Sequence, residues 1–164
     1  GGFVVSGILS NQIKKMTRIN CAIPVEYLTD EHLLAEHREI ARLPWNVSEA
    51  IKSGSIKTKV PSKFTLNSGH VLFFVNKNKF TLNRYKEIRK ECKKRGFNVS
   101  DYESNWDTNE CSQYMGDYTP TQEDKDILIE RIELRIKESS KKYWHYNSKR
   151  ITKEEAIELL YKCK

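Results

Sequence analysis

Glu39 follows Arg38 directly and precedes Arg42 by three residues. On a helix this spacing sets a carboxylate beside two guanidinium groups on adjoining faces. Neighbouring cations hold a carboxylate ionised, and an ionised carboxylate beside a phosphate backbone can accept a proton. An ordinary intrahelical ion pair has the same pattern, so the spacing alone identifies no reaction. A second chemical signal is the segment KKYWHYNSKR at 141–150, which interleaves Tyr143, Trp144 and Tyr146 with Lys141, Lys142, Lys149 and Arg150. Aromatic rings stack on bases while cations hold phosphates, the combination that single strands and flipped bases require. An aromatic lid over the core is the other reading, and the two are compatible.

Two further basic surfaces stand out. Arg131 and Arg135 are four residues apart and share a helix face. Leu82 to Arg95 carries Arg84, Lys86, Arg89, Lys90, Lys93, Lys94 and Arg95 against only Glu87 and Glu91. Each has the bland alternative of a solvated helix face. The whole chain has 29 Lys+Arg against 22 Asp+Glu, a net charge of +7, which favours nucleic acid or an acidic membrane face as partner. The longest apolar run, Val71 to Val75, is far short of the ~20 residues that cross a bilayer, so a membrane partner is not expected. The opening Gly1 to Ser10 lacks the basic region of a secretory signal, and none is expected there.

The cysteines at 21, 92, 111 and 163 are too widely spaced for a zinc motif, and the histidines at 32, 37, 70 and 145 do not complete one. No metal or other cofactor is expected, and the thiols read as the reduced cysteines of a cytoplasmic protein.

The elements that must position these residues are mainly helical. A first helix opens at Thr29 or Asp30, where Asp30 and Glu31 complement the positive helix N-terminus, and runs to Pro44. SEAIKSG (48–54) reads as a kinked continuation, and 55–63 as a loop. Phe64 to Phe80 is undecided between buried strand and buried helix, because a short apolar run has no diagnostic period. A second helix covers Leu82 to Arg95, with Leu82, Tyr85, Ile88 and Cys92 on its apolar side and Gly96 as its stop. Residues 97–120 read as a long ordered loop. A third helix spans Thr121 to Lys137, and the Thr152/Glu155 pair marks the start of a short terminal helix. The expected fold is mainly α: a compact single domain with about three main helices joined by long loops.

MTRIN (16–20) and VEYLTDEHLLAEHREIAR (25–42) resemble the pyrimidine-dimer DNA glycosylases, small repair enzymes known from bacteriophages. The likeness continues in order through GHVLFF (69–74), KKRGFNV (93–99), GDYTP (116–120), RIELRIK (131–137) and WHY (144–146). It divides the chain into an extension at 1–15, a glycosylase-like domain at 16–150, and a C-terminal helical extension at 151–164. Met16 followed by a small residue reads like a natural start, and the stretch before it like upstream read-through or a segment later removed.

The resemblance implies a metal-independent glycosylase with apurinic/apyrimidinic lyase activity, monomeric, acting on double-stranded DNA that carries a pyrimidine lesion in a bacterial or phage-infected cell. It implies the α-amine of Thr17 as nucleophile, forming an imine with the sugar, and Glu39 as the essential carboxylate. Arg38 and Arg42 correspond to residues that bind phosphate and the lesion, with Arg18 close by, His32 to a histidine near the active site, and Arg131 and Arg135 to a basic pair that grips DNA; the residue types add Tyr143, Trp144 and Tyr146 as DNA contacts. Arg135 replaces a lysine, and His145 and Asn147 also depart from the family pattern, which bears on lesion preference. The alternatives are the same chemistry on another damaged pyrimidine, or a non-catalytic DNA-binding module if the Thr17 nitrogen stays within a peptide bond.

Overall fold

The computed structural model describes residues 18–164; Thr17 lies outside them. The fold is mainly α, as expected from the sequence, and carries in addition one small two-stranded sheet that was not expected. After a 3₁₀ turn at Val25–Tyr27 come α1 (Asp30–Ile40), α2 (Leu43–Ser53), α3 (Ser55–Thr58), α4 (His70–Phe74) and α5 (Asn78–Lys94). A second 3₁₀ turn (Glu103–Trp106) leads to α6 (Asn109–Ser112) and α7 (Gln122–Glu138). The chain closes with β1 (Tyr143–Tyr146), β2 (Lys149–Thr152) and α8 (Lys153–Tyr161).

Helix boundaries follow local chemistry where a side chain caps, and tertiary contacts where none does. Thr29 caps α1 by accepting from the His32 amide. Thr121 with Asp124, and Thr152 with Glu155, form full capping boxes on α7 and α8. Pro44 starts α2 instead of stopping α1, because its missing amide costs nothing in a first turn. The undecided run 71–75 is helical in α4, with Phe73 and Phe74 buried against Phe64. α5 begins at Asn78, a turn earlier than its apolar pattern. Its first amides are satisfied by distant carbonyls: Asn78 donates to Tyr114, and Lys79 and Phe80 to Gly116. That crossing needs glycine, since a Cβ on Gly116 would lie 2.4 Å from the Asn76 carbonyl oxygen.

The core joins Ile19, Leu33, Ile40, Leu43, Phe74, Tyr85, Ile88, Leu128, Ile129 and Ile136. α1 packs on α5 and on β1, while α7 packs on α8. The hairpin pairs Trp144 with Ile151 and Tyr146 with Lys149 around a two-residue turn. Asn147 and Ser148 take positive φ (52° and 67°), the backbone that a tight hairpin turn demands. Position 150/151 therefore falls inside β2, and α8 buries Ala156 and Leu160.

Candidate active site and nucleic-acid interface

Glu39 occupies the last turn of α1 and is half-buried. Burial raises its carboxyl above the ordinary carboxylate range. The backbone amide of Arg18 and the charges of Arg42 and Arg38 oppose that rise, while the carboxylate of Glu36 adds to it. Arg38 and Arg42 are both exposed. The result is a carboxyl that holds its proton more readily than a free one, beside open cations.

Arg18, whose amide meets that carboxylate, turns its side chain elsewhere. Its Nη1 donates to the Leu66 carbonyl at 2.9 Å. Burial, then the charges of Arg135 and Arg131, lower its pKa to about 10. The two α7 arginines thus lie near Arg18, although more than one hundred residues separate them from it in sequence. Between α7 and the 64–67 segment runs a groove of about 390 Å³, lined by Phe64, Leu66, Asn67, Arg131 and Leu134.

His70 fixes this corner, and sequence reasoning assigned it no role. It is buried, its Nε2 accepts from the Ile19 amide at 2.9 Å, and its Nδ1 donates to the Thr65 carbonyl at 2.8 Å. Burial lowers its pKa to about 4, so the ring is neutral at neutral pH with the proton on Nδ1. A neutral ring is required, because a doubly protonated one has no lone pair for the Ile19 amide. The sequence offers only a histidine before an apolar run, which does not reveal a partner 51 residues away.

The aromatic segment divides in its placement. Trp144 is buried and stacks on His32, with centroids 5.0 Å apart and planes 13° from parallel. His32 Nδ1 sits 2.8 Å from Thr29 Oγ1, and burial lowers the His32 pKa to about 4. Tyr146 donates its hydroxyl to the Glu26 carbonyl at 2.8 Å and packs under Arg95. Tyr143 is the exposed member, with Arg150 over its ring at 4.5 Å. The hairpin is clamped to the N-terminus of α1. Asp30 accepts from the Asn147 and Ser148 amides at 3.1 and 2.7 Å, and Glu31 accepts from the His145 amide at 2.9 Å and pairs with its ring at 2.8 Å. Asp30 and Glu31 are therefore more than the helix-dipole partners that the sequence suggests.

The basic face of α5 is smaller than its residue types imply. Arg84 is buried on Glu36, and Arg95 is buried on Glu91 and Asp30. Lys86 pairs with Glu103 and Arg89 with Asp101. A groove of about 290 Å³ beside these residues shares none of the groups around Glu39. Among the described residues, no helix is long and apolar enough to cross a membrane, and no group of His, Cys, Asp or Glu is placed to hold a metal ion.

A model of the pyrimidine dimer DNA glycosylase family matches residues 16–104, just over half of the chain. The match begins at Met16 and takes in Arg18, Arg38, Glu39, Arg42 and His70, at the start of the described chain, the end of α1 and α4, and His32 in the first turn of α1. Arg131, Arg135 and the hairpin lie beyond it. The chain belongs to the pyrimidine dimer DNA glycosylase family.

Proposed function

We propose that this chain binds duplex DNA at cyclobutane pyrimidine dimers, breaks the glycosidic bond of the 5′ base through the α-amine of Thr17, and then breaks the backbone as a lyase. The observation that carries this reading is the half-buried Glu39 carboxylate at the backbone amide of Arg18, with the charges of Arg38 and Arg42 acting on it and those of Arg131 and Arg135 acting on Arg18. Thr17 is bonded to Arg18, and adjacent α-carbons are about 3.8 Å apart.

The chemistry follows from those groups. An α-amine has a reference pKa of about 7.7–8.0, so an appreciable neutral fraction attacks carbon at neutral pH. The amine nitrogen bonds to C1′ of the 5′ pyrimidine nucleoside while the C1′–N1 bond breaks and its electron pair leaves with the base. Charge building on the sugar is met by Glu39, which also takes part in the proton transfers. Opening of the sugar gives the imine. A base, Glu39 in this reading, then takes a C2′ proton, the C–H electron pair passes into the imine, and the C3′–O bond breaks with its pair leaving on the 3′ phosphate. The arginines hold the phosphates on either side, and Tyr143 offers the hairpin's open aromatic face. In the chain from Gly1 the Thr17 nitrogen is an amide, so this route requires release of Thr17 from Met16. We place the activity in the cytoplasm, on nucleoid DNA, with the protein acting as a monomer.

A duplex holding a single dimer is expected to be incised at that dimer by the Thr17-started protein, with an undamaged duplex left intact. Binding to either duplex weakens steeply as salt rises, because each phosphate contact releases counterions. Arg131→Ala with Arg135→Ala flattens that slope by about two phosphate contacts. Salt-dependent binding without incision would instead favour a non-catalytic DNA-binding module. Incision at another damaged pyrimidine but not at dimers would keep the chemistry and change the lesion.

A further inference from the structure

Trp45 is 66% exposed, the most open of the large apolar side chains among the described residues. The other tryptophans, Trp106 and Trp144, are 4% and 7% exposed. α2 has ample apolar surface for its own packing, since Leu43, Pro44, Val47 and Ala50 face the core. Trp45 is on the opposite side, with no aromatic stacking partner among the described residues. An indole left in water forgoes much of the stabilisation that burying its large apolar surface would bring.

Its position is specific. The backbone stays right-handed helical through Ala41 and Arg42, with the Arg42 amide bonded to the Glu39 carbonyl and the Trp45 amide to the Arg42 carbonyl, each at 3.1 Å. Arg42 and Trp45 are therefore three residues apart in the turn that joins α1 to α2, both exposed, with exposed Arg38 one turn earlier on α1. An open indole next to an open cation is an arrangement in which a base stacks while a phosphate is held.

We infer that the indole of Trp45 stacks on a nucleobase of the bound duplex, next to the phosphates held by Arg38 and Arg42. This rests on the reading of the arginine surface as the DNA-binding face, and it adds a contact that does not depend on charge.

The test is a titration of the full chain with a duplex oligonucleotide, followed by tryptophan fluorescence and by affinity over a range of salt. Wild type is expected to be quenched on binding, and Trp45→Phe to lose most of that quench. Trp45→Ala is expected to bind about tenfold more weakly at every salt concentration, while Trp45→Phe, which keeps a ring, stays within about threefold. The salt slope is unchanged in both, since no charge is removed. A quench that persists in Trp45→Phe, or a Trp45→Ala variant that binds within about twofold of wild type, overturns the stacking contact and leaves the DNA-binding reading standing. A full chain that binds no duplex at any salt concentration overturns both.

Discussion

Glu39→Gln is expected to slow incision of dimer-containing DNA by about 10²- to 10⁴-fold, the usual range for loss of a proton-transferring group. Affinity for the same DNA should stay within a few-fold, because the amide keeps the shape of the carboxyl. Burial raises the Glu39 pKa, so the wild-type rate should climb with pH through a value above the ordinary carboxylate range, and that acid limb should be missing from the residual rate of the variant. The same shift sets the sign for stability. A carboxyl whose pKa is raised by folding binds protons more readily in the folded chain, so the fold loses stability as pH rises through that pKa. Replacing it with a neutral amide removes this loss. Glu39→Gln should therefore melt at or above the wild-type temperature at neutral pH, and a thermal scan beside the kinetics checks it. Normal incision by a well-folded variant would make Glu39 an ordinary surface carboxylate.

Glu36→Ala should act in the opposite way, through stability. On sequence alone Glu36 is a neighbouring carboxylate on the same helix and the next candidate for the chemistry. In the fold its side chain is fully buried, with Oε2 at 2.8 Å from Arg84 Nε and Oε1 at 3.1 Å from Arg84 Nη2. Arg84 also donates to the Ile23 carbonyl at 2.7 Å, so the pair ties α1 to α5 and to the segment that leads from the active site. Removing one partner strands a buried charge and costs about 3–5 kcal/mol, a large share of the roughly 5–15 kcal/mol that stabilises a typical domain. The melting temperature should fall by roughly 6–20 °C. Glu36→Met with Arg84→Met, which removes both charges at similar volume, should recover much of the loss. A drop of less than about 1 kcal/mol in Glu36→Ala would mean that the pair does not hold these elements together.

What the sequence makes legible follows from the range of each interaction. Capping residues and apolar stripes act over a few residues, so Thr29, Thr121 and Thr152 mark their helices correctly. The start of α5 is hidden because its first amides are satisfied by Tyr114 and Gly116, more than thirty residues away. The run at 71–75 carries no period of its own, and only packing against Phe64 and Tyr118 makes it a helix. The hairpin had a local signal in its alternating YWHY and KRIT flanking Asn147–Ser148, although the aromatic and basic residue types suggest a binding segment first. Of the candidate site, Glu39 with Arg38 and Arg42 is visible from spacing. The approach of Arg131 and Arg135 to Arg18, and the grip of His70 on the Ile19 amide, are products of the fold. Charge counting overstates the α5 surface for the same reason, since Arg84 and Arg95 are spent on buried carboxylates.

The measurement that bears most directly on the proposed chemistry is reductive trapping. The protein beginning at Thr17 is mixed with dimer-containing duplex in the presence of borohydride, which reduces the imine to a stable amine, and the adduct is mapped by peptide mass. The expected result is a covalent adduct on the Thr17 α-nitrogen, absent after acetylation of that terminus and absent in the chain from Gly1, with DNA binding retained in both controls. Trapping and incision by the chain from Gly1 as fast as by the Thr17-started protein, or an adduct that maps to a lysine, would contradict Thr17 as the nucleophile.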